Sequence, residues 1–431
     1  MDKIAKFFEL EARGSNIRTE LVAGLTTFLA MAYITIVNPV ILSETGMDFG
    51  AVFVATCIAA AFGSIVMGLV GNYPIAQAPG MGQNAFFAYG IVLGLGYTWQ
   101  TALGAVFLSG IIFIILSLLP VREWLINAIP KNLKLGISAG IGMFLGFIAV
   151  KNAGIVVANP ATFVSFGSLT DAGPFICMIG FVIIAALSAR KIMGAVIIGM
   201  LFATVLGWVF GGAEFKGVFS MPPSLEPVLF ELDIAAAFNV SMITVILTLL
   251  LVDVFDTAGT MVGVATRAGL TTEDGKLPRL GKALLSDSGA TAVGALVGTS
   301  STTSYIESAA GVESGGRTGL VAVTTGVLFL GCLFLAPLAQ SVPAYASAAA
   351  LLFVACLMTR SLADVDWDDL TESTPAVVCA LAMPLSFSIA DGIGLGFITY
   401  MAIKLLSGRA SECPAAVYLV AFIFAAKFTF V

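Results

Sequence analysis

The sequence predicts an all-α polytopic membrane protein: fourteen transmembrane segments in two inverted seven-segment repeats, with two of the segments broken and short. Three observations carry this. Of 431 residues, 59% are hydrophobic and 11% charged, against about 25% charged in soluble domains. Mean hydropathy is +1.03, and apolar runs of about 20 residues recur, each able to cross a core of roughly 30 Å. The second half of the chain also repeats the pattern of the first, with an odd number of segments per half.

Residues 1–20 are amphipathic and lack an apolar stretch followed by a cleavage site. They read as a cytoplasmic segment near the membrane surface, not as a signal peptide. The first repeat, 21–211, holds segments near 21–42, 51–70, 84–96, 101–119, 133–151, 174–189 and 192–211. An acidic, Pro-containing linker at 212–238, expected in the periplasm, hinges the halves. The second repeat, 239–408, holds segments near 239–262, 283–298, 304–312, 318–337, 342–359, 374–389 and 391–407. The tail, 409–431, reads as an interfacial helix, with a fifteenth span as the alternative.

Loop charge sets the orientation. With the N-terminus in the cytoplasm, 17 of the 20 Lys and Arg residues fall on that side; Lys151, Lys216 and Lys427 do not. The expectation is a multi-pass protein of the cell (inner) membrane with both termini cytoplasmic.

Composition also excludes. Net charge is −6 and no basic patch suggests nucleic acid. Six cysteines are scattered without a CxxC pair, and histidine is absent. Histidine metal sites and histidine proton relays are therefore ruled out, and proton chemistry must use Asp or Glu. No phosphate-binding loop for ATP is present. No metal, no cofactor and no enzymatic activity are expected.

The repeats are visible by eye. VMGLVGNYPIAQAPGMGQNA (66–85) resembles VGALVGTSSTTSYIESAAGV (293–312), and TALGAVFLSGIIFII (101–115) resembles TGLVAVTTGVLFLGC (318–332). Seven segments per half invert one half against the other, a signature of secondary transporters. Both halves break at the same place. Asn72, Pro74 and Pro79 interrupt the first before a short helix near Gly82. Thr299 to Ser304, a run of hydroxyl residues favouring extended backbone, interrupts the second before a short helix near Tyr305. Matching interruptions point to a binding site, with helix N-termini aimed at the membrane midplane.

Four carboxylates lie within or at the edge of segments: Asp253, Asp256, Asp287 and Glu307. Each costs roughly 2.5–3.5 kcal/mol at mid-membrane on insertion scales, which marks them as functional candidates. Asp253 and Asp256 are three apart on one helix face; Asp253 is expected nearer the cytoplasmic exit. Asp287 is either proton-coupling or a structural acid bonding hydroxyls such as Thr299 or Ser301. Asn84 is a substrate hydrogen-bonder or a cap for broken backbone. Phe86, Phe87 and Tyr89 could stack on a planar ligand or pack in the interior. Glu313 and Arg317, four apart, read as a surface ion pair.

At APGMGQNAFFAYG (78–90), DVFDTAGTMVG (253–263) and GTSSTTSYIESAAGV (298–312) the chain resembles the AzgA-like branch of the nucleobase–ascorbate transporters. The resemblance covers essentially the whole chain. It implies permeation of adenine, guanine and hypoxanthine. It implies a core of 21–119 and 239–337 moving against a gate of 133–211 and 342–408, with two chains pairing through their gates. It assigns Asp256, Glu307, Gly82 and Asn84 to the purine, and matches Asp287 to the ninth-segment acid. Asp253, Met81, Phe86 and Tyr305 are secondary candidates.

The expected mechanism is proton symport. Two carboxylates and free N–H groups match the flat donor–acceptor edge of a neutral purine. Asp256 is the candidate proton carrier, with Asp287 as a second, and Glu307 the anionic acceptor. The expected partners are a purine nucleobase, protons and the lipid bilayer. The rival is an anion transporter of the sulfate or bicarbonate type, whose site should avoid two such acids.

Overall fold

The computed structural model describes residues 2–119, 129–272 and 277–430. Arg122 and Lys276, counted among the loop cations, lie outside them. Helices dominate because a buried or lipid-facing backbone must satisfy its own polar groups. The first half holds α1 (Asp2–Phe7), α2 (Ile17–Met31), α3 (Ile34–Ser43), α4 (Phe49–Val66), β1 (Gln77–Pro79), α5 (Met81–Ala85), α6 (Trp99–Leu118), α7 (Lys131–Asn152), β2 (Val156–Asn159), β3 (Phe163–Phe166), α8 (Ala172–Ala189) and α9 (Ala195–Phe210). After the linker come α10 (Ile234–Ala237), α11 (Ile243–Arg267), α12 (Leu280–Val297), β4 (Thr302–Ser304), α13 (Ser308–Glu313), α14 (Gly319–Cys332), α15 (Ala336–Gln340), α16 (Ala344–Thr359), α17 (Leu370–Ser386), α18 (Ile389–Leu406) and α19 (Ala415–Phe430).

Among the described residues, nine helical stretches are long and apolar enough to cross a membrane. The other expected crossings are the two broken ones, the 16-residue α9, the 17-residue α17 and the hydroxyl-rich α12. Starts are capped by side chains. Asn16, Asp48, Thr318 and Ser388 each accept a hydrogen bond from a backbone N–H of the first turn, which satisfies one of the orphan donors there.

Two groups of helices pack mainly among themselves. In one, α14 lies on α2 and α4, and α12 on α4 and α6; in the other, α7 lies on α16 and α17, α17 on α18, and α8 on α9 and α16. The turn after α4 lies so close to α14 that a Cβ on Gly319 would strike the carbonyl of Gly68. Small residues permit this approach.

Three segments carry structure that the sequence pattern did not specify. The N-terminal segment docks on protein as well as lying outside the spans: Phe8 and Leu10 pack with Leu320, and Arg13 donates to the Asn72 carbonyl at 2.9 Å. A β2–β3 hairpin, pairing Val156 with Phe166, lies between the fifth and sixth expected segments. The tail helix packs on the fourteenth segment. α19 runs antiparallel along α18, with Lys427 bonding Asp391 at 2.7 Å and the Phe424 ring over Gly394. Sixteen residues span about 24 Å, so residue 430 ends level with the start of α18.

Candidate functional site

The centre of the molecule is made by the two breaks together. Asn72 takes the left-handed conformation and ends the first helical run. Its side chain accepts from Gly319 N–H at 2.7 Å and donates to the Phe8 carbonyl at 3.2 Å. Gly298, also left-handed, ends α12. Each break then runs extended, and β1 and β4 pair antiparallel with Gln77 opposite Ser304, Ala78 opposite Thr303 and Pro79 opposite Thr302. Gly80 N–H to Ser301 O and Tyr305 N–H to Ala76 O extend the ladder. The extended backbone at membrane depth is thus satisfied by its counterpart in the other repeat. Pro79 is tolerated because Thr302 opposes it at a position without ladder bonds.

Two acids lie behind this crossing, fully buried. Asp253 accepts from Gln83 Nε2 at 3.1 Å and from Thr291 Oγ1 at 2.9 Å. Asp287 accepts from Gln77 Nε2 and Ser304 Oγ, both at 2.8 Å, and from Thr257 Oγ1 at 2.7 Å. The expected hydroxyl partners of Asp287, Thr299 and Ser301, are not the ones it uses. Thr299 accepts instead from Asn38. Asp253 does not lie toward the cytoplasmic exit of α11. It sits on the linker side of Asp256, ten residues into a 25-residue helix.

Two acids lie in front. Asp256 is exposed although it sits mid-helix, and is within electrostatic reach of Glu307, Asp253 and the Tyr305 phenol. Glu307, half-buried, precedes α13 and accepts a hydrogen bond from Tyr33 Oη at 2.6 Å. Tyr33 stands at the kink between α2 and α3. From Asp256 an open face follows α11 at helical spacing. A Cβ on Gly259 would meet nothing, one on Gly263 only the tip of Ile306, and Val262 and Thr266 are exposed. This open face ends at the exposed Arg267–Glu313 ion pair, 3.5 Å. Glu313 therefore pairs with Arg267, while Arg317 bonds the carbonyls of Val312 and Gly316; the expected Glu313–Arg317 pair does not form.

The remaining candidates divide. Gly82 is buried where a Cβ would strike Ile141 of α7. Asn84 neither caps a helix nor reaches the open face: its Oδ1 takes the Ser300 hydroxyl, and its Nδ2 is a buried donor without a partner among the described residues. Met81 and Tyr305 are buried at the crossing, with Tyr305 Oη donating to the Pro79 carbonyl at 2.5 Å. Phe86 and Phe87 are interior packing, not a stacking surface. Tyr89 is buried at the far end, bonding Glu44 at 2.8 Å. Sequence reasoning missed Tyr33, Gln77, Gln83, Thr257, Thr291 and Thr303. The signal for the amides was present: each Gln interrupts an apolar run beside a Pro or Gly.

Residues 18–395 match the Permease family. The chain belongs to that family. It is 49% identical over 428 residues to the adenine permease AdeP of Escherichia coli, covering 99% of this chain and 96% of that one. It is 44% identical over 436 residues to the guanine/hypoxanthine permease PbuG of Bacillus subtilis, covering 98% and 99%. The AzgA-like resemblance is borne out, and the protein is a membrane permease, not an enzyme. The solved transmembrane domain of a cyanobacterial bicarbonate transporter, BicA, superposes with a TM-score of 0.65 at 15% identity, covering 87% of this permease and 97% of that chain. It shows the shared inverted seven-plus-seven fold.

Proposed function

We propose that this permease imports purine nucleobases, adenine, guanine or hypoxanthine, by proton symport. The observation that carries the reading is that Asp256 and Glu307 lie within electrostatic reach of each other at the head of the open face of α11. Glu307, held by Tyr33, accepts a purine ring N–H. Asp256 supplies the second edge contact and carries a proton. Two anions this close repel strongly, so a proton arrives with the neutral base and leaves with it. The names of the two relatives support the substrate class.

The core is residues 21–119 and 239–337, and the gate 133–211 and 342–408. The open face ends on the Arg267 side, assigned to the cytoplasm of the inner membrane by loop charge. At the opposite end Tyr89 and Glu44 meet Asn152 of α7, with Asn152 Nδ2 donating to both at 3.1 Å. Lys151 lies over the Tyr89 and Phe387 rings. These contacts close the other route, and sliding of core against gate exchanges open and closed ends. Two permeases pair through their gates. An anion transporter on this fold would place its ligand against two carboxylates, which disfavours it.

The test is uptake of labelled adenine and hypoxanthine into proteoliposomes under an imposed pH gradient or an imposed sodium gradient. Accumulation follows the pH gradient and collapses with an uncoupler. Accumulation that follows sodium and survives the uncoupler sinks the proton assignment.

A further inference from the structure

The two segments that lead into the repeats carry the same triplet. Phe8, Glu9 and Leu10 precede the helices of the first repeat; Phe230, Glu231 and Leu232 precede those of the second. Each triplet bends through a left-handed residue, Glu9 in one and Phe230 in the other, both at φ 58°. Each is followed by an asparagine that accepts a backbone N–H beside the first helix of its repeat. Asn16 Oδ1 takes Thr19 N–H at 3.0 Å, and Asn239 Oδ1 takes Ser241 N–H at 3.3 Å. Tyr33 follows Asn16 by the same seventeen residues as Asp256 follows Asn239. Each repeat therefore begins before its first membrane segment, and its register runs through to the site.

Each segment also grips the end of the helical run that precedes a break. At one end of the core, the Phe8 carbonyl accepts from Asn72 Nδ2 at 3.2 Å. Arg13 donates to the Asn72 carbonyl at 2.9 Å and to the Arg317 carbonyl at 3.2 Å. A cation is favoured there, because the last carbonyls of a helical run have no partner within it. Asn72 in turn accepts from Gly319 N–H at 2.7 Å. One guanidinium thus ties the turn into the first break to the chain leading out of the second. At the other end, Phe230 N–H donates to the Leu296 carbonyl in the last turn of α12 at 2.9 Å. Val228 packs where a Cβ on Gly298 would stand. Asn72 and Gly298 are the left-handed residues from which the two breaks depart. A left-handed residue other than glycine persists only where its surroundings fix it.

We propose that residues 8–13 and 228–233 are two inverted straps, each fixing the turn from which its own repeat's break departs, and that Arg13 and Val228 are positioning residues for the purine site. The inference rests on the reading above only in placing the purine at the breaks. β1 and β4 meet in register because both departure points are held. A loosened strap lets one break slide, and a slip of one residue turns a strand's side chains to its other face. Gln77 and Ser304, which both bond Asp287, would then lose it.

The experiment is hydrogen exchange by mass spectrometry on the purified full-length permease, with adenine affinity measured by calorimetry on the same samples. Arg13→Ala removes the guanidinium. Asn72→Gly keeps the left-handed backbone and removes both side-chain bonds. Val228→Gly removes the side chain packed on Gly298. In each, amides at 77–82 and 301–305 are expected to exchange at least about tenfold faster than in wild type. Adenine affinity is expected to fall at least about fivefold. Lys6→Ala, exposed in the same segment, should change neither. Faster exchange confined to residues 2–16 or 212–233 overturns the straps, because the segments then only dock. Exchange at the breaks that matches wild type overturns them as well, and faster exchange with unchanged affinity overturns the positioning role. So does loss of the folded carrier in all three variants, since the segments then hold the fold and not the site. A wild type that binds no adenine removes the substrate reading, and the amides alone then decide the straps.

Discussion

The two broken crossings occupy the same place in the two repeats and share a backbone plan, yet their chemistry differs. The first is fully buried, and its polar side chains are amides: Gln77, Gln83 and Asn84. The second is built from hydroxyls and ends in Glu307, with Ile306 and Glu307 reaching the open face. The amides face the acids of the other repeat, Gln77 on Asp287 and Gln83 on Asp253. The first break therefore holds and the second engages. Backbone symmetry makes the crossing; side-chain asymmetry gives it one working face. The two acid pairs divide the same way, Asp253 and Asp287 fully buried behind, Asp256 and Glu307 in front with Glu307 held by Tyr33.

The largest effect expected from this contrast is at Asp256. Asp256→Asn removes the site of proton binding and keeps a hydrogen-bonding edge. Concentrative uptake should vanish while adenine binding to the purified carrier survives. Glu307→Gln keeps the shape but weakens a charge-assisted hydrogen bond of roughly 1.5–3 kcal/mol, about a 10- to 150-fold loss of affinity. Calorimetry across pH on both variants separates the roles. They are reversed if Asp256→Asn does not bind while Glu307→Gln binds normally and loses only its pH dependence.

Much of this was legible in the sequence, and the illegible part has a physical cause. Hydropathy and repeat parity gave the segment plan, and the Pro and hydroxyl runs located both breaks. Pattern alone could not tell that the breaks pair with each other, because antiparallel register is a long-range property. Nor could it rank the acids. Asp253 and Asp256 share a helix and differ by three positions, about 60° of rotation, which buries one and exposes the other. Nor could it tell that the tail helix docks on α18, because the partner of Lys427 is Asp391, 36 residues away in sequence.

A smaller effect tests the kink residue. Tyr33→Phe removes the hydroxyl that holds Glu307 and leaves the ring in place. The orienting hydrogen bond is worth about 1 kcal/mol net, so adenine affinity should fall near fivefold with the proton-to-purine ratio unchanged. A drop as large as that of Glu307→Gln would move Tyr33 from support to direct contact. An unchanged affinity would mean that Glu307 holds its position without it.

The smallest effect is expected far from either break, where carboxylates also abound. Asp369 accepts hydrogen bonds from the Thr371 hydroxyl at 2.7 Å and N–H at 2.9 Å, and from Arg409 at 2.7 Å. The Thr371 hydroxyl and then Arg409 hold its carboxyl down at about 2. Glu412 is likewise held down at about 2, first by Arg409 and then by Lys404. For a depressed carboxyl, the stabilising contribution is fully present above the ordinary value of about 3.9. It is lost only as pH falls toward 2. Across pH 5 to 8 both groups stay ionised and their contribution is constant, so they add no pH dependence to transport. Asp369→Asn should lower the thermal midpoint slightly, by the same amount at pH 5 and pH 8. The pH profile of adenine uptake should keep its wild-type midpoint. A shifted midpoint would place a coupling group in this exposed cluster and break the assignment of proton handling to the interior acids.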